Sequence, residues 1–458
     1  MRTACLPLAF GLALAFAAPG PLSAQSSPIG SAGSSTPAAA DTLGLSLTEA
    51  LAIGLHENPR LHQVAADRTV ARAGIWDAWG NLLPQFSTQG QLQRSEQGTF
   101  VLAGREFDSP ATYTTAYQWD FTHSLLDSGR DLFRIQEARA EVDRTHARFD
   151  ATSLETAADI KTQYLAARRR TALVRQAERE VERREAHLDL ARARYDVGAV
   201  TRSDVLQARL SSTQGEVTLL QARQDAQEAR LALRRLLGGA LEDRPVVLTS
   251  EFDVYAPEYE VETLTARALD RHPTLRETRA AQRAGEAQLW IARSAYLPTF
   301  QLQFSLARSI VDTVEFRFSD WNDRNFWAVS MRWPLFGRFD RYHQTTRAHA
   351  SLESARAEER ARVLEIEEQV RVAHSRLMTA YATHRANEVA VELAREDLRL
   401  GEARYETGTG SFVDLLDARV RAAEAETEWI ASVYDFYLAL VALERATGVV
   451  LFPEGAAE

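Results

Sequence analysis

The 458-residue sequence is 45% hydrophobic and 25% charged, and its formal net charge is −10. An acidic balance of this size argues against a nucleic-acid partner. The chain has one cysteine, Cys5, so a disulfide framework within the chain and a thiolate metal site are excluded.

The first residues have the order of a secretory signal peptide. Arg2 gives a positive start, the run from Leu6 to Ala18 is apolar, a Pro-Gly-Pro break follows, and Leu22-Ser23-Ala24 offers small residues for cleavage. The apolar run is too short for a spanning helix, which needs about 20 residues. We therefore predict a signal peptide over residues 1–24 and an exported chain that begins with a flexible segment over residues 25–45.

The remainder of the chain contains two copies of one long unit. Asn58-Pro59 is echoed by His272-Pro273, and the segment from Ala193 to Gly198 is matched by the segment from Ala403 to Gly408, at an offset of 210 positions. We predict repeat 1 over residues 46–240, an inter-repeat linker or equatorial segment over 241–261, repeat 2 over 262–450 and a C-terminal tail over 451–458.

Each copy changes its hydrophobic period in the same order. A helical segment comes first, two segments of strict alternation follow, and two long helical segments separated by a glycine complete the unit. The predicted helices cover about residues 59–83, 129–197, 203–237, 273–297, 338–407 and 411–447, and the predicted strands cover about 85–94, 112–122, 299–308 and 325–334.

One face of each predicted strand is apolar and aromatic, and the other is mostly polar. The aromatic faces include Trp119, Phe121, Trp327 and Trp333, which we predict to face lipid while the polar side chains face a wet lumen. A half-exposed sheet in a soluble protein also alternates, but no separate helix with a wide apolar face is available to cover four such strands. Four strands cannot close a membrane barrel, and open edges in hydrocarbon leave backbone groups unpaired. The sequence therefore predicts oligomerisation, with eight strands in a dimer, twelve in a trimer or sixteen in a tetramer.

The long helices carry a seven-residue repeat of apolar positions, which is typical of left-handed supercoils. In the second copy the repeat runs from Val363 to Tyr405, and small residues such as Ala373 and Gly401 follow three positions after many of its members. The other positions are dominated by Arg, Glu, Asp and Ala, which favours helices that are wet on two sides and pack only against lateral neighbours. An ordinary two-stranded coiled coil explains the heptads but not the strands inserted between them.

The doubled architecture, the Asn-Pro and Leu-Pro positions, the segment from Trp333 to Gly337 and the two Tyr-x-x-Gly turns together resemble the TolC-type outer-membrane efflux family. This resemblance covers nearly all of the mature chain. It implies a mainly α fold with membrane β-structure, in which each of two repeats is a β-hairpin with long coiled-coil helices. It further implies a homotrimer with a twelve-stranded β-barrel on a twelve-helix α-barrel, and a tunnel tip that docks to a periplasmic adaptor joined to an inner-membrane pump.

The resemblance also assigns roles at the two helix-to-helix turns. The adaptor-docking tips are Gly198, Thr201, Gly408 and Ser411, and the aperture or gating residues are Tyr405, Asp414, Asp417, Ser203 and Asp204. Thr201 with Asp204 and Ser411 with Asp414 have capping-box spacing, so these aspartates can also serve to start helices. Core packing explains Tyr405 as well as gating does. Where some family members have an arginine across the tip, this chain has Gly410, so any closing network must be different or weaker.

No enzyme motif is visible in the sequence. It has no Gly-rich phosphate loop, no His-Glu-x-x-His and no nucleophile elbow, and we predict no catalytic residue, no metal and no cofactor. The predicted function is an outer-membrane exit duct of a tripartite efflux or type I secretion system, with outer-membrane lipid as its surroundings. The alternative is a periplasmic coiled-coil scaffold or adaptor without a pore. The sequence does not identify the cargo.

Overall fold

The computed structural model describes residues 43–96, 98, 100–107, 110–239 and 246–452. The predicted signal peptide, nearly all of the leader segment and most of the C-terminal tail lie outside the described residues.

The described chain is mainly helical. The helices are α1 (Leu47–Glu57), α2 (Pro59–Gly80), α3 (Arg130–Asp196), α4 (Arg202–Leu236), α5 (Val261–Arg271), α6 (Pro273–Ser294), α7 (Asp340–Glu406) and α8 (Phe412–Thr447). The strands are β1 (Leu43–Leu45), β2 (Gln85–Ser95), β3 (Phe100–Leu102), β4 (Arg105–Phe107), β5 (Thr112–Asp127), β6 (Val246–Leu248), β7 (Thr299–Asp312) and β8 (Asn322–Arg332). The two halves have the same order of helices, and α3 and α7 both have 67 residues.

Local chemistry sets several helix ends. Asn58 caps α2 by accepting a hydrogen bond from the Arg60 N–H at 2.9 Å, and Pro59 then occupies the first helical turn, where a missing N–H has no consequence. His272 and Pro273 stand at the same place before α6. Gly448 ends α8 with φ +68°, the left-handed conformation that favours glycine after a helix.

Four antiparallel strands form the main sheet in the order β2-β5-β7-β8. The register places Phe86, Phe121, Phe304 and Trp327 level with one another on one face. A row three positions away, on the opposite face, contains Gln89, Gln118, Ala307 and Arg324. Pairing therefore joins the apolar faces of the four predicted strands into one surface and the mostly polar faces into the other.

The strands differ from their predicted bounds in three respects. β5 and β7 have 16 and 14 residues, because each continues its ladder beyond the alternating core of its sequence. β8 begins at Asn322 and ends at Arg332, so Trp333, predicted as a strand residue, lies just past its end. Two short pairs were not predicted: β3 with β4, and β1 with β6 in parallel.

The helices lie side by side in two sets. Next to the sheet, α2 packs on α3, α3 on α6, and α6 on α7; towards the other end, α4 packs on α3, α3 on α8, and α8 on α7. Between the two sets lies the largest core cluster, around Tyr164, Phe436 and Tyr437, all fully buried. None of the described helices is long and apolar enough to cross a membrane.

Candidate functional site at the helical tips

Two tight turns end the molecule opposite the sheet, where α3 passes into α4 and α7 into α8. Gly198 and Gly408 have φ values of +76° and +74°, which side chains with a Cβ rarely adopt. The N–H of Ala199 donates to the carbonyl of Arg194 at 2.8 Å, and the N–H of Gly410 donates to the carbonyl of Arg404 at 3.0 Å. The turns thus satisfy the last carbonyls of the long helices and reverse the chain within a few residues.

Capping boxes begin both returning helices. The Thr201 hydroxyl accepts from the Asp204 N–H at 3.3 Å, and the Asp204 carboxylate accepts from the Thr201 N–H at 2.8 Å. Ser411 and Asp414 repeat the arrangement, with a hydroxyl-to-carboxylate distance of 2.7 Å. Hydrogen bonds from Ser411 hold the pKa of Asp414 below its usual range. The structural role expected for these two aspartates is therefore present, and it keeps both side chains bound to their own helix starts.

Asp417 lies one turn further along α8 and differs from Asp414. Its side chain is exposed and has no hydrogen bond or ion pair with the rest of the described chain. Ser203, on the first turn of α4, is exposed as well. Of the five aperture residues assigned by resemblance, these two have free side chains at the tip.

Tyr405 is buried between the two hairpins. It is 7% exposed and packs with Leu398, Leu415 and Ala418. Its hydroxyl is buried without a hydrogen-bond partner in the described chain. In the single subunit Tyr405 is therefore a packing residue, as its heptad position allowed.

Arg194 joins the two hairpins, and sequence reasoning missed it. Its guanidinium lies 4.9 Å from the centre of the Tyr405 ring and donates to the carbonyls of Tyr405 and Glu406, both at 3.2 Å. These contacts tie the end of α3 to the end of α7. A basic residue in the last turn of α3 was the only available signal, and it does not reveal contacts with carbonyls 211 and 212 positions away.

Gly410 occupies the position at which some members of the family that the sequence resembles have an arginine across the tip. A Cβ at this position would lie 3.0 Å from Cβ of Arg404, which is tighter than ordinary van der Waals contact. The close backbone packing leaves little room for a longer side chain here. In this chain the link across the tip comes from α3, through Arg194.

A second link between the hairpins lies further up the helices. Glu426 on α8 is within 3.0 Å of an Arg179 nitrogen and 3.6 Å of an Arg183 nitrogen, both on α3. Arg395 on α7 approaches the same carboxylate at 3.6 Å. One carboxylate thus connects three helices, and only 12% of its side chain is exposed.

The predicted lipid-facing residues lie at the other end of the molecule. Trp119, Phe121 and Trp327 share the apolar face of the sheet, and Trp327 is 75% exposed. Trp333 lies beyond β8, where its indole N–H donates to the carbonyl of Tyr296 at 3.2 Å. The first three therefore share one face of the sheet, and Trp333 lies just beyond it.

Within the part of the chain that the structure describes, no group of three or more His, Cys, Asp or Glu side chains is placed to hold a metal ion.

Comparisons with known proteins agree with this architecture. The sequence profile of the outer membrane efflux protein family matches residues 52–239 and 264–449. The chain is 24% identical over 398 residues to the outer membrane protein TolC of Vibrio cholerae, covering 85% of this chain and 88% of the relative. It is 24% identical over 409 residues to nodulation protein T of Rhizobium leguminosarum bv. trifolii, covering 88% of this chain and 85% of the relative. The crystal structure of the Campylobacter jejuni CmeC outer membrane channel has a similar fold, with a TM-score of 0.78, 15% identity, and coverage of 93% of this chain and 94% of that chain.

Proposed function

The chain belongs to the outer membrane efflux protein family, and on that premise we propose that three copies of it form the exit duct of a tripartite efflux or type I secretion system. The family is a transport family, not an enzyme family. In this duct a twelve-stranded β-barrel crosses the outer membrane, and a twelve-helix tunnel extends into the periplasm.

Unpaired edges on both sides of the subunit carry this proposal. β2 and β8 are the edge strands of the main sheet. On the β2 side α2 and α4 are the outermost described helices, and on the β8 side the outermost helix is α7. The sheet and both sets of helices therefore end on the same two sides of the subunit. A single rotation can then pair β8 with β2 of the next copy and, below the sheet, α7 with α2 and α4 of the next copy. Such a head-to-tail interface gives a ring when the rotation between copies closes, as we propose here.

The outer helices carry apolar stripes that their own chain does not cover. In α4 the stripe is exposed and lies opposite the buried face, at Leu206, Leu210, Val217, Leu220 and Leu231. In α7 an exposed stripe also lies opposite the buried face, at Leu364, Met378, Val389, Leu393 and Leu400. Contiguous exposed apolar surface of this kind marks a protein–protein contact. We assign the α4 stripe of one subunit to the α7 stripe of its neighbour.

The sheet fits a membrane once the ring is closed. Its apolar face carries rows of residues from Phe300 and Met331 up to Trp119 and Leu306, and the Arg308–Asp323 ion pair follows above them. Closure also pairs the backbone groups of β2 and β8, which hydrocarbon would otherwise leave unsatisfied. The same closure turns the polar face towards a lumen.

The tip supplies the aperture and the docking surface. Three copies of the exposed Asp417 side chain would place a ring of negative charge at the narrow end of the tunnel, which favours cations. The exposed turns at Gly198, Thr201, Gly408 and Ser411 are the part of the duct that a periplasmic adaptor and its inner-membrane pump can reach.

A charge inserted into the α4 stripe tests the assembly. We expect the Leu210→Glu, Leu220→Glu double variant to lose trimers, because it buries two carboxylates against the α7 stripe of the neighbour. The control is Gln207→Glu with Thr218→Glu, which adds the same charges to α4 at exposed positions away from the stripe. Oligomeric mass by native mass spectrometry after extraction from outer membranes is the measurement.

The wild-type protein decides between a duct and the scaffold alternative. A duct gives trimers in the outer-membrane fraction and ion conductance in planar bilayers. A soluble periplasmic protein without conductance, or an unchanged mass for the stripe variant, would contradict the proposal.

A further inference from the structure

A small, partly enclosed cavity lies between the two helical hairpins near their tips. Residues from α3, α4 and α8 line it: Arg184, His187, Ala208, Ser211, Phe412, Leu415, Leu416 and Arg419. The centre of a water-sized sphere can occupy about 10 Å³ inside it. The cavity therefore has room for one water molecule or one ion of similar size. We call it the tip cavity.

Buried polar groups at the tip cavity lack partners. His187 is 7% exposed, and neither of its ring nitrogens has a hydrogen-bond partner in the described chain. Nε of Arg419 is also buried and unpartnered. The unpartnered hydroxyl of Tyr405 belongs to a ring whose centre is 5.6 Å from that of His187. Because buried polar groups are nearly always paired, the unpartnered nitrogens of His187 and Arg419, which both line the cavity, point to a bound species.

The surroundings of the cavity are cationic. Arg184 and Arg419 line it. The positive charge of Arg194, on the same helix as His187, also lowers the pKa of His187. Arg184 forms an ion pair with Glu180, and Arg419 forms one with Glu402. Neither carboxylate lines the cavity. The lining residues from α4 are uncharged, and α7 contributes the neutral Tyr405 next to the His187 ring. An anion offsets this positive potential, whereas a water molecule does not.

The protonation of His187 follows from the same contacts. Burial, and then the charges of Arg419 and Arg194, lower the pKa of His187 to about 4. In the absence of an anion the imidazole is therefore neutral at pH 7 and has one donor and one acceptor. A neighbouring anion favours the protonated ring, which donates from both nitrogens.

We propose that the tip cavity binds one small monovalent anion of halide size, held by the N–H groups of His187 and Arg419, and that His187 takes up one proton with it. α3 and α8 belong to different hairpins, so the bound anion connects the hairpins at the tip. Because one proton enters with the anion, its apparent affinity falls about tenfold per pH unit between the pKa of His187 in the empty cavity and its higher pKa in the anion-bound state. Anion binding depends on the packing of the tip, so it can be tested without measuring conductance.

Anomalous scattering from bromide tests the site directly. Crystals of the mature protein are soaked in sodium bromide at pH 5 and pH 8 and measured at the bromine absorption edge. We expect a peak in the tip cavity of every subunit at pH 5, within hydrogen-bond reach of His187 and Arg419, and a weaker peak at pH 8. The His187→Asn variant is expected to lose the peak, and the control His56→Asn, at an exposed histidine of α1, to keep it.

Thermal unfolding in solution gives an independent measurement. In sodium gluconate, the lowered pKa of His187 makes the packed tip less stable as the pH falls from 6.5 towards about 4, because the separated tip takes up the proton more readily. Replacing gluconate by bromide at pH 5 and equal ionic strength should raise the midpoint for the wild type and His56→Asn, and leave His187→Asn unchanged. The rise should shrink as the pH approaches 8.

Several outcomes would overturn the proposal. A cavity at pH 5 that contains water without anomalous signal, or nothing, shows that no anion binds. A bromide peak that persists in His187→Asn, or that is equal at both pH values, identifies an adventitious ion only. Equal midpoints in bromide and gluconate for the wild type would exclude the linkage.

Discussion

Two neighbouring aspartates show how a local contact decides the role of a residue. Asp414 is held by the Ser411 hydroxyl at 2.7 Å, so its charge stabilises the start of α8. Asp417, one turn later, has no such partner and stays exposed. Of these two aspartates, Asp417 is therefore the one that we expect to act on ions at the aperture.

We therefore expect Asp417→Asn to reduce the preference of the channel for cations, because it removes one negative charge per subunit from the tip. The variant should have the thermal midpoint of the wild type, since Asp417 makes no contact within its chain. The measurement is the reversal potential across a planar bilayer in a salt gradient. Glu358→Asn is a suitable control, because this exposed carboxylate lies on α7 far from the tip. Equal ion selectivity of the two variants would show that Asp417 does not face the permeating ions.

Lys161, the only lysine, forms a buried ion pair at the middle of the molecule. Its Nζ donates to Oε2 of Glu444 at 2.5 Å, and Oε1 of Glu444 accepts from the N–H groups of Leu451 and Phe452 at 2.6 and 2.7 Å. The ammonium also lies 4.9 Å from the centre of the Phe452 ring. Glu444 thus fixes the end of the described chain to α8 as well as pairing the lysine.

Glu444→Gln should be strongly destabilising because it leaves a buried ammonium without its counter-charge. Loss of one partner of a buried pair costs on the order of 3–5 kcal/mol. Asp435→Asn breaks a more exposed pair between the same two helices, with Arg169, and should cost less than about 1 kcal/mol. The thermal midpoint of the helical circular dichroism measures both. Similar small shifts for the two variants would show that water already reaches the Lys161 pair.

At the scale of elements, polar side chains connect the α3–α4 and α7–α8 hairpins at several points of the tunnel half. Arg194 connects their ends, and Glu426 connects them higher up through Arg179 and Arg183. The small apolar clusters at the tips lie largely within each hairpin. Because the apolar clusters lie within the hairpins and these contacts between them are polar, the two hairpins can separate as units. We therefore expect the tip to open by breaking these polar contacts.

Arg194→Ala is therefore expected to raise single-channel conductance, because it removes both carbonyl contacts across the tip and the stacking on Tyr405. Arg192→Ala is the matched control, since Arg192 lies on the same turn and its partner, Asp189, is on its own helix. Conductance in planar bilayers is compared at one salt concentration. If both variants conduct like the wild type, Arg194 does not hold the tip closed.

Patterns in sequence predicted the features that depend on local spacing. Both capping boxes, the helix starts at Pro59 and Pro273, and the alternation of the four main strands follow from residues a few positions apart. The contacts of Arg194 depend on how two hairpins pack, and a single sequence contains no period that encodes such packing. The parallel pair β1–β6 was missed because strands of three residues are too short to show alternation. The roles of Ser203 and Asp417 at the aperture remain predictions.

At the scale of the whole molecule, one subunit is an incomplete object. Its sheet ends at β2 and β8, and its tunnel half ends at α4 and α7, each with an exposed apolar stripe. α3 and α7, at 67 residues each, extend for on the order of 100 Å, so in the proposed ring the interface with the next copy would run along the full height of the duct.

Mixed assemblies count the subunits of that ring. If wild-type and Arg194→Ala chains are expressed together, a trimer contains zero, one, two or three variant subunits, and each added variant removes one link across the tip. We therefore expect four conductance levels in bilayer recordings, with the two intermediate levels absent when either chain is expressed alone. The separately purified proteins, mixed after assembly, serve as the control and should show only the two outer levels. Three levels from co-expression would indicate a dimer and five a tetramer, since the number of levels exceeds the number of subunits by one in any closed ring.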